Sequence, residues 1–148
     1  MVDAGESVGQ MAAHLARIHN ACLKTRLQPL GLSPAQFQAL AALDLHGEQT
    51  QRALAGVLAV EQATMANTLS RMERDGLIER KPHPDDGRAQ LIRLTERARE
   101  RIEPARQAAR AADQVLLDGL PMAEQALFVS MLGRVNGAME KAALDSPG

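Results

Sequence analysis

The segment Gly76-Leu77-Ile78-Glu79-Arg80-Lys81-Pro82-His83-Pro84-Asp85-Asp86-Gly87-Arg88-Ala89-Gln90-Leu91-Ile92-Arg93-Leu94-Thr95 reads as a helix stop, a short strand, a turn carrying an arginine, and a returning strand. Gly76 supplies the positive φ that commonly ends a helix. Asp86-Gly87 signals a hairpin turn, because glycine accepts backbone angles that other residues avoid. Arg88 then lies beside the tip of an exposed two-stranded ribbon, where a long cation can reach a large partner.

Just upstream, Thr50 reads as the cap of a short helix from Gln51 to Leu58. A break at Ala59-Val60 follows, then a second helix from Gln62 to about Asp75. Leu54, Val57, Leu58, Val60, Met65, Leu69 and Met72 are expected to form the shared core of this pair. The outer face of the second helix is left with Gln62, Thr64, Asn67, Thr68 and Arg71. Short polar groups with one cation suit base edges and phosphates, although many surface helices carry such residues. The ribbon that follows decides the reading. Two helices and a ribbon form a winged helix-turn-helix. Ser33 and Thr50, at the starts of upstream helices, complete the candidate DNA-contacting set.

The flanks are helical. Met11, Leu15, Ile18 and Cys22 recur at spacings of four, three and four, one apolar stripe of a helix from about Val8 to Leu30. Ser33-Pro34-Ala35-Gln36 opens the next helix with a capping box and a first-turn proline, and Gly47 ends it. Thr95 caps a long helix to Leu117, in which Pro104 predicts a kink near Glu103. After Leu120-Pro121, a last helix from Met122 to Ala143 aligns Leu127, Met131, Leu132, Val135 and Met139. The end stripes have no obvious partner within the chain, so a second copy is expected to cover them across a two-fold axis.

Composition narrows the function. Of 148 residues 45% are apolar, and the aromatics are two Phe with no Trp or Tyr, which argues against readers that stack single-stranded bases. One Cys cannot form an internal disulfide. No stretch is long and pure enough to cross a membrane, and the opening residues do not read as a secretory signal. A cytoplasmic protein without membrane association is expected. The net charge of −1 hides a gradient: residues 51–110 hold 12 Lys/Arg against 9 Asp/Glu, and residues 111–148 hold 2 against 5. The basic excess falls on the helix pair and ribbon.

Four segments carry a family likeness: Gly31-Leu32-Ser33-Pro34-Ala35-Gln36-Phe37, Thr50-Gln51-Arg52-Ala53-Leu54-Ala55, Met72-Glu73-Arg74-Asp75-Gly76-Leu77-Ile78-Glu79-Arg80, and Asp86-Gly87-Arg88 followed by Leu94-Thr95. In this order the chain resembles the MarR family of winged helix-turn-helix transcriptional regulators over nearly its full length. The resemblance implies a mainly α fold with a small β-hairpin wing. Residues 33–95 would form the DNA-binding domain, and residues 1–32 and 96–148 the dimerisation helices. It also implies a homodimer on a palindromic double-stranded operator, acting as a repressor released by a small-molecule effector or by an oxidant. Carried over by residue, Gln62, Thr64, Asn67 and Arg71 fall on the recognition helix. Arg88 falls on the wing arginine that enters the minor groove, and Asp86 on the carboxylate that holds it. Gly87 stands where the family usually has a cation, Ala98 where it often has glycine, and Pro121-Met122 where it has a polar cap.

Rival readings are weaker. No hydrolase, zinc-protease, phosphate-loop or Cys-x-x-Cys motif is present, so no catalytic residue, cofactor or metal is expected. His14 and His19 lie five apart on different sides of a helix, and the histidines read as surface or hinge groups. A protein-interaction module that had lost DNA binding would have no reason to keep Asp86 with Arg88. A peroxide sensor acting through Cys22 would need a group that stabilises its thiolate, and Cys22 falls on an apolar stripe in a chain without Tyr. The effector crevice is expected where the first, second and fifth helices meet the DNA-binding lobe, with His14 and Arg17 as polar candidates.

Overall fold

The computed structural model describes Gly5 and residues 7–145. Within them, backbone contacts divide the chain into two units, residues up to Ala112 and residues from Asp113. Helix α1, Val8–Leu27, starts at Ser7, whose Oγ accepts from Gln10 N at 3.2 Å while Gln10 Oε1 accepts from Ser7 N at 2.8 Å. It passes into a single 3-10 turn, Gln28–Leu30, which ends at left-handed Gly31. Helix α2, Pro34–His46, opens with the same reciprocal box between Ser33 and Gln36 and stops at Gly47. Each box satisfies two backbone donors that a helix start otherwise leaves unpaired.

The helix pair and its ribbon follow. Strand β1, Gln49–Thr50, leads into α3, Gln51–Leu58, whose cap Thr50 accepts from Ala53 N at 3.1 Å. Ala59 turns the chain in the left-handed region, φ 52° and ψ 43°, a conformation that alanine adopts at some cost. Helix α4, Gln62–Arg74, then ends in a double-bonded glycine cap: Leu77 N donates to Met72 O at 2.8 Å, and Gly76 N to Glu73 O at 3.0 Å. Gly76 sits at φ 73°, as its role as helix stop requires.

Strands β2, Ile78–Pro82, and β3, Gln90–Leu94, pair antiparallel, and β1 adds to the other edge of β3, giving the order β1-β3-β2. The register sets Ile78 against Leu94 and Arg80 against Ile92. Ile78, Ile92 and Leu94 are buried, while Glu79 and Arg93 pair on the opposite face at 2.7 Å. Helix α5, Glu96–Leu117, is assigned as one helix through Pro104, although the proline withholds the backbone N–H that Glu100 O would accept. Its start is tied to the end of α4 by Thr95, whose hydroxyl donates to Gly76 O at 2.7 Å and accepts from Ala98 N at 3.2 Å.

The core of the first unit centres on Leu27, Leu40, Leu54, Met65, Leu69, Met72, Leu77 and Ile92. Each such burial contributes roughly 1.5–3 kcal/mol before chain entropy is set against it. One expected member is missing: Val57 is 52% exposed. The buried arc of the two-turn α3 runs through Leu54, Leu58 and Ala55, and Val57 lies outside it on the other side of Leu54. The second unit holds the last residues of α5 and helix α6, Met122–Leu144. Pro121 starts α6 without a side-chain cap. Among the described residues α6 buries none, so its apolar face from Leu127 to Met139 is uncovered in the single chain. No single described helix is long and apolar enough to cross a membrane.

Candidate nucleic-acid interface

Helix α4 turns Met65, Leu69 and Met72 into the core and leaves Gln62, Thr64, Asn67 and Arg71 exposed. Thr68 is half-buried, and its hydroxyl donates back to Thr64 O at 3.1 Å. The helix thus presents amide, hydroxyl and guanidinium groups on a rigid element, the chemistry that reads base edges in a major groove. Gln62 also accepts from Gln51 Nε2 at 3.5 Å, linking the starts of α3 and α4.

The wing loop differs from a two-residue glycine turn. Seven residues, His83 to Ala89, connect β2 to β3, and Gly87 is not among the positive-φ residues. The loop is shaped by polar contacts instead. Asp85 N donates to His83 Nδ1 at 3.0 Å, Ala89 N to Asp86 O at 3.1 Å, and His83 N to Ala89 O at 3.1 Å. Asp86 Oδ1 accepts from Arg88 N at 3.0 Å. Its carboxylate therefore holds the arginine by the main chain and leaves the guanidinium free to extend. The Asp-Gly pair alone could not reveal this, because the loop is set by residues on both sides of it.

Between the wing and the starts of α3 and α4 lies a groove of about 460 Å³. Thr50, Gln62 and Arg88, all expected from sequence, meet there. So do Gln51, Arg52 and Arg80, which sequence reading passed over. Three arginines from three elements line this groove and no carboxylate does, an arrangement suited to a phosphate backbone. Arg52 and Arg80 lie 28 residues apart on a helix and a strand, and only the fold brings them to one groove. Ser33 lies outside the groove, at the start of α2 beside buried Gln36, whose Nε2 reaches Asp75 Oδ2 at 3.5 Å.

The family model described as "MarR family" matches residues 30–89, a span that includes the helix pair, β2 and the wing loop. A probable transcriptional regulator from Pseudomonas aeruginosa is 28% identical, with TM-score 0.82, over 90% of this chain and 99% of its own. A mutant MarR from E. coli complexed with operator DNA is 27% identical, with TM-score 0.79, over 86% of this chain and 92% of its own. The PcaV transcriptional regulator from Streptomyces coelicolor, in complex with its natural ligand, is 27% identical, with TM-score 0.76, over 94% of this chain and 98% of its own. The chain is similar to the MarR family, by that model over the helix pair and wing and by these structures over most of its length.

Its fold is the winged-helix fold of these regulators. His14 and Arg17, the effector candidates, are both exposed along α1. Neither lines the wing groove, nor a smaller cavity of about 180 Å³ among Asp44, Glu48, Arg93 and Arg99. Cys22 is half-buried and packs against the core beside Leu23. Among the described residues no group of three or more His, Cys, Asp or Glu is placed to hold a metal.

Proposed function

We propose that this chain is a MarR-family regulator, a cytoplasmic homodimeric repressor of a palindromic double-stranded operator, released by a small molecule. The carrying observation is the polar outer face of α4 beside a wing groove lined by Arg52, Arg80 and Arg88 without a carboxylate. Helix α4 enters the major groove, where Thr64 and Asn67 read bases and Gln62, Thr68 and Arg71 support them. Arg88, held by Asp86, enters the adjacent minor groove. Thr50 and Ser33, at the starts of α3 and α2, contact the backbone. Residues 33–95 form the reader, and residues 1–32 and 96–148 the dimerisation helices. The uncovered apolar faces of α1 and α6 support a second copy as their cover. No residue has a catalytic role in this reading.

The test is selection of duplexes from a random library, followed by binding titrations against salt. A palindrome bound far more tightly than bulk DNA, with affinity falling steeply as salt rises, is the expected result. Uniformly weak binding to every duplex overturns the reading. The effector half follows from geometry. Two recognition helices must sit about 34–36 Å apart to meet successive major grooves, so a ligand wedged beside α1 and α2 near His14 and Arg17 releases DNA by changing that spacing. It must prefer the released state by several kcal/mol.

Oxidation is not the signal in this reading. Peroxide is expected to leave operator binding of wild type and Cys22→Ser equal, since Cys22 packs as a small hydrophobe against the core. Release of wild type alone, reversed by thiol, would show instead that Cys22 is the sensor.

A further inference from the structure

Arg80 occupies an unusual place. Along β2 its side chain falls on the face of Ile78 and opposite Ile92, both buried, where strand alternation calls for an apolar residue. Its side chain is only 21% exposed. An arginine this far from water is retained when something holds its charge. That partner is Glu73, in the last turns of α4, whose Oε2 accepts from Arg80 Nε at 3.0 Å. The glycine cap at Gly76 folds the chain back and brings these two residues, seven apart in sequence, together. A guanidinium has five N–H donors, and Nε supplies only one of them. Arg80 also lines the wing groove, with Arg52 and Arg88.

We propose that Arg80 is a phosphate-binding residue of the groove, and that Glu73 is the positioning residue that holds it there. The proposal rests on the DNA-binding reading above and adds a role for two residues outside the recognition face and the wing tip. Its consequence runs against simple electrostatics. Glu73 is a carboxylate on the DNA-reading helix, so neutralising it should tighten binding if it acts only as a like charge near phosphate. If it orients Arg80, neutralising it weakens binding, because the guanidinium is no longer held toward the backbone.

The experiment uses the full chain and a palindromic duplex selected by the wild type. Glu73→Gln is expected to bind about threefold more weakly, the scale of a surface ion pair. Arg80→Ala is expected to weaken binding to all duplexes alike and to lower the salt slope by about one per subunit. The deciding readout is the double variant: in an Arg80→Ala background, Glu73→Gln should cost nothing further. Should alanine unfold the chain, Arg80→Lys serves the same cycle, since a lysine lacks the planar fork that bonds carboxylate and phosphate together. Unchanged or tighter binding by Glu73→Gln, or a loss that persists without Arg80, overturns the proposal. Neither outcome touches the DNA-binding reading, which fails only if the wild type selects no palindrome.

Discussion

Leu132→Glu is expected to give a chain that sediments at the mass of one copy and loses operator binding. Leu132 lies on α6, 42% exposed, among Met131, Val135 and Met139, which are also exposed. A face this apolar is costly in water, and a two-fold interface buries the same patch from both copies. The substitution therefore places two carboxylates in one apolar seam. Each must be desolvated or protonated, at a cost of several kcal/mol. That shifts dimerisation by a factor on the order of a thousand or more. Operator affinity falls with it, because a single copy holds one half-site and loses the linked second contact. Fold should survive, since α6 buries nothing within its own chain, and the far-ultraviolet circular dichroism is expected to stay helical. A folded monomer that still binds the palindrome with full affinity would refute the dimer.

Much of the fold was legible because its punctuation is local. Ser33 with Gln36, Thr50 with Ala53, and Gly76 after Arg74 act within one helical turn, so their chemistry can be read from adjacent letters. The apolar stripes were equally plain: Met11, Leu15 and Ile18 on α1 and Leu127 to Met139 on α6 are exposed in the single chain, while Cys22 packs against the core. What escaped reading depends on distance. Gln36 meets Asp75 across 39 residues, and β1 is two residues long, too short to show alternation. Ala59 adopts a left-handed turn that sequence habit assigns to glycine, while Gly87 does not need one. The groove was hidden for the same reason. Arg52, Arg80 and Arg88 come from a helix, a strand and a loop, and only the register of β2 on β3 and the cap at Gly76 bring them together.

Arg88→Ala and Asn67→Ala should fail in different ways, and the contrast tests how the work of DNA binding is divided. Arg88 is exposed on a loop fixed at its main chain by Asp86, so its guanidinium can enter a minor groove beside the site read by α4. A narrow A·T-rich minor groove has enhanced negative potential, and an arginine there reads shape rather than base identity. Arg88→Ala is therefore expected to weaken all duplexes and to remove any preference for A·T-rich flanks. The salt slope should fall by about one per wing, hence about two per dimer. Asn67 is exposed in the middle of α4, where a planar amide can bond two groups on one base edge. Asn67→Ala should leave the salt slope nearly unchanged and cost roughly 1–3 kcal/mol of discrimination at one base pair of each half-site. Titrating both variants against the selected palindrome, single-base variants of it and bulk DNA at several salt concentrations separates the two effects. If Asn67→Ala weakened every duplex equally and Arg88→Ala changed none, the recognition helix and the wing would have exchanged the roles assigned to them here.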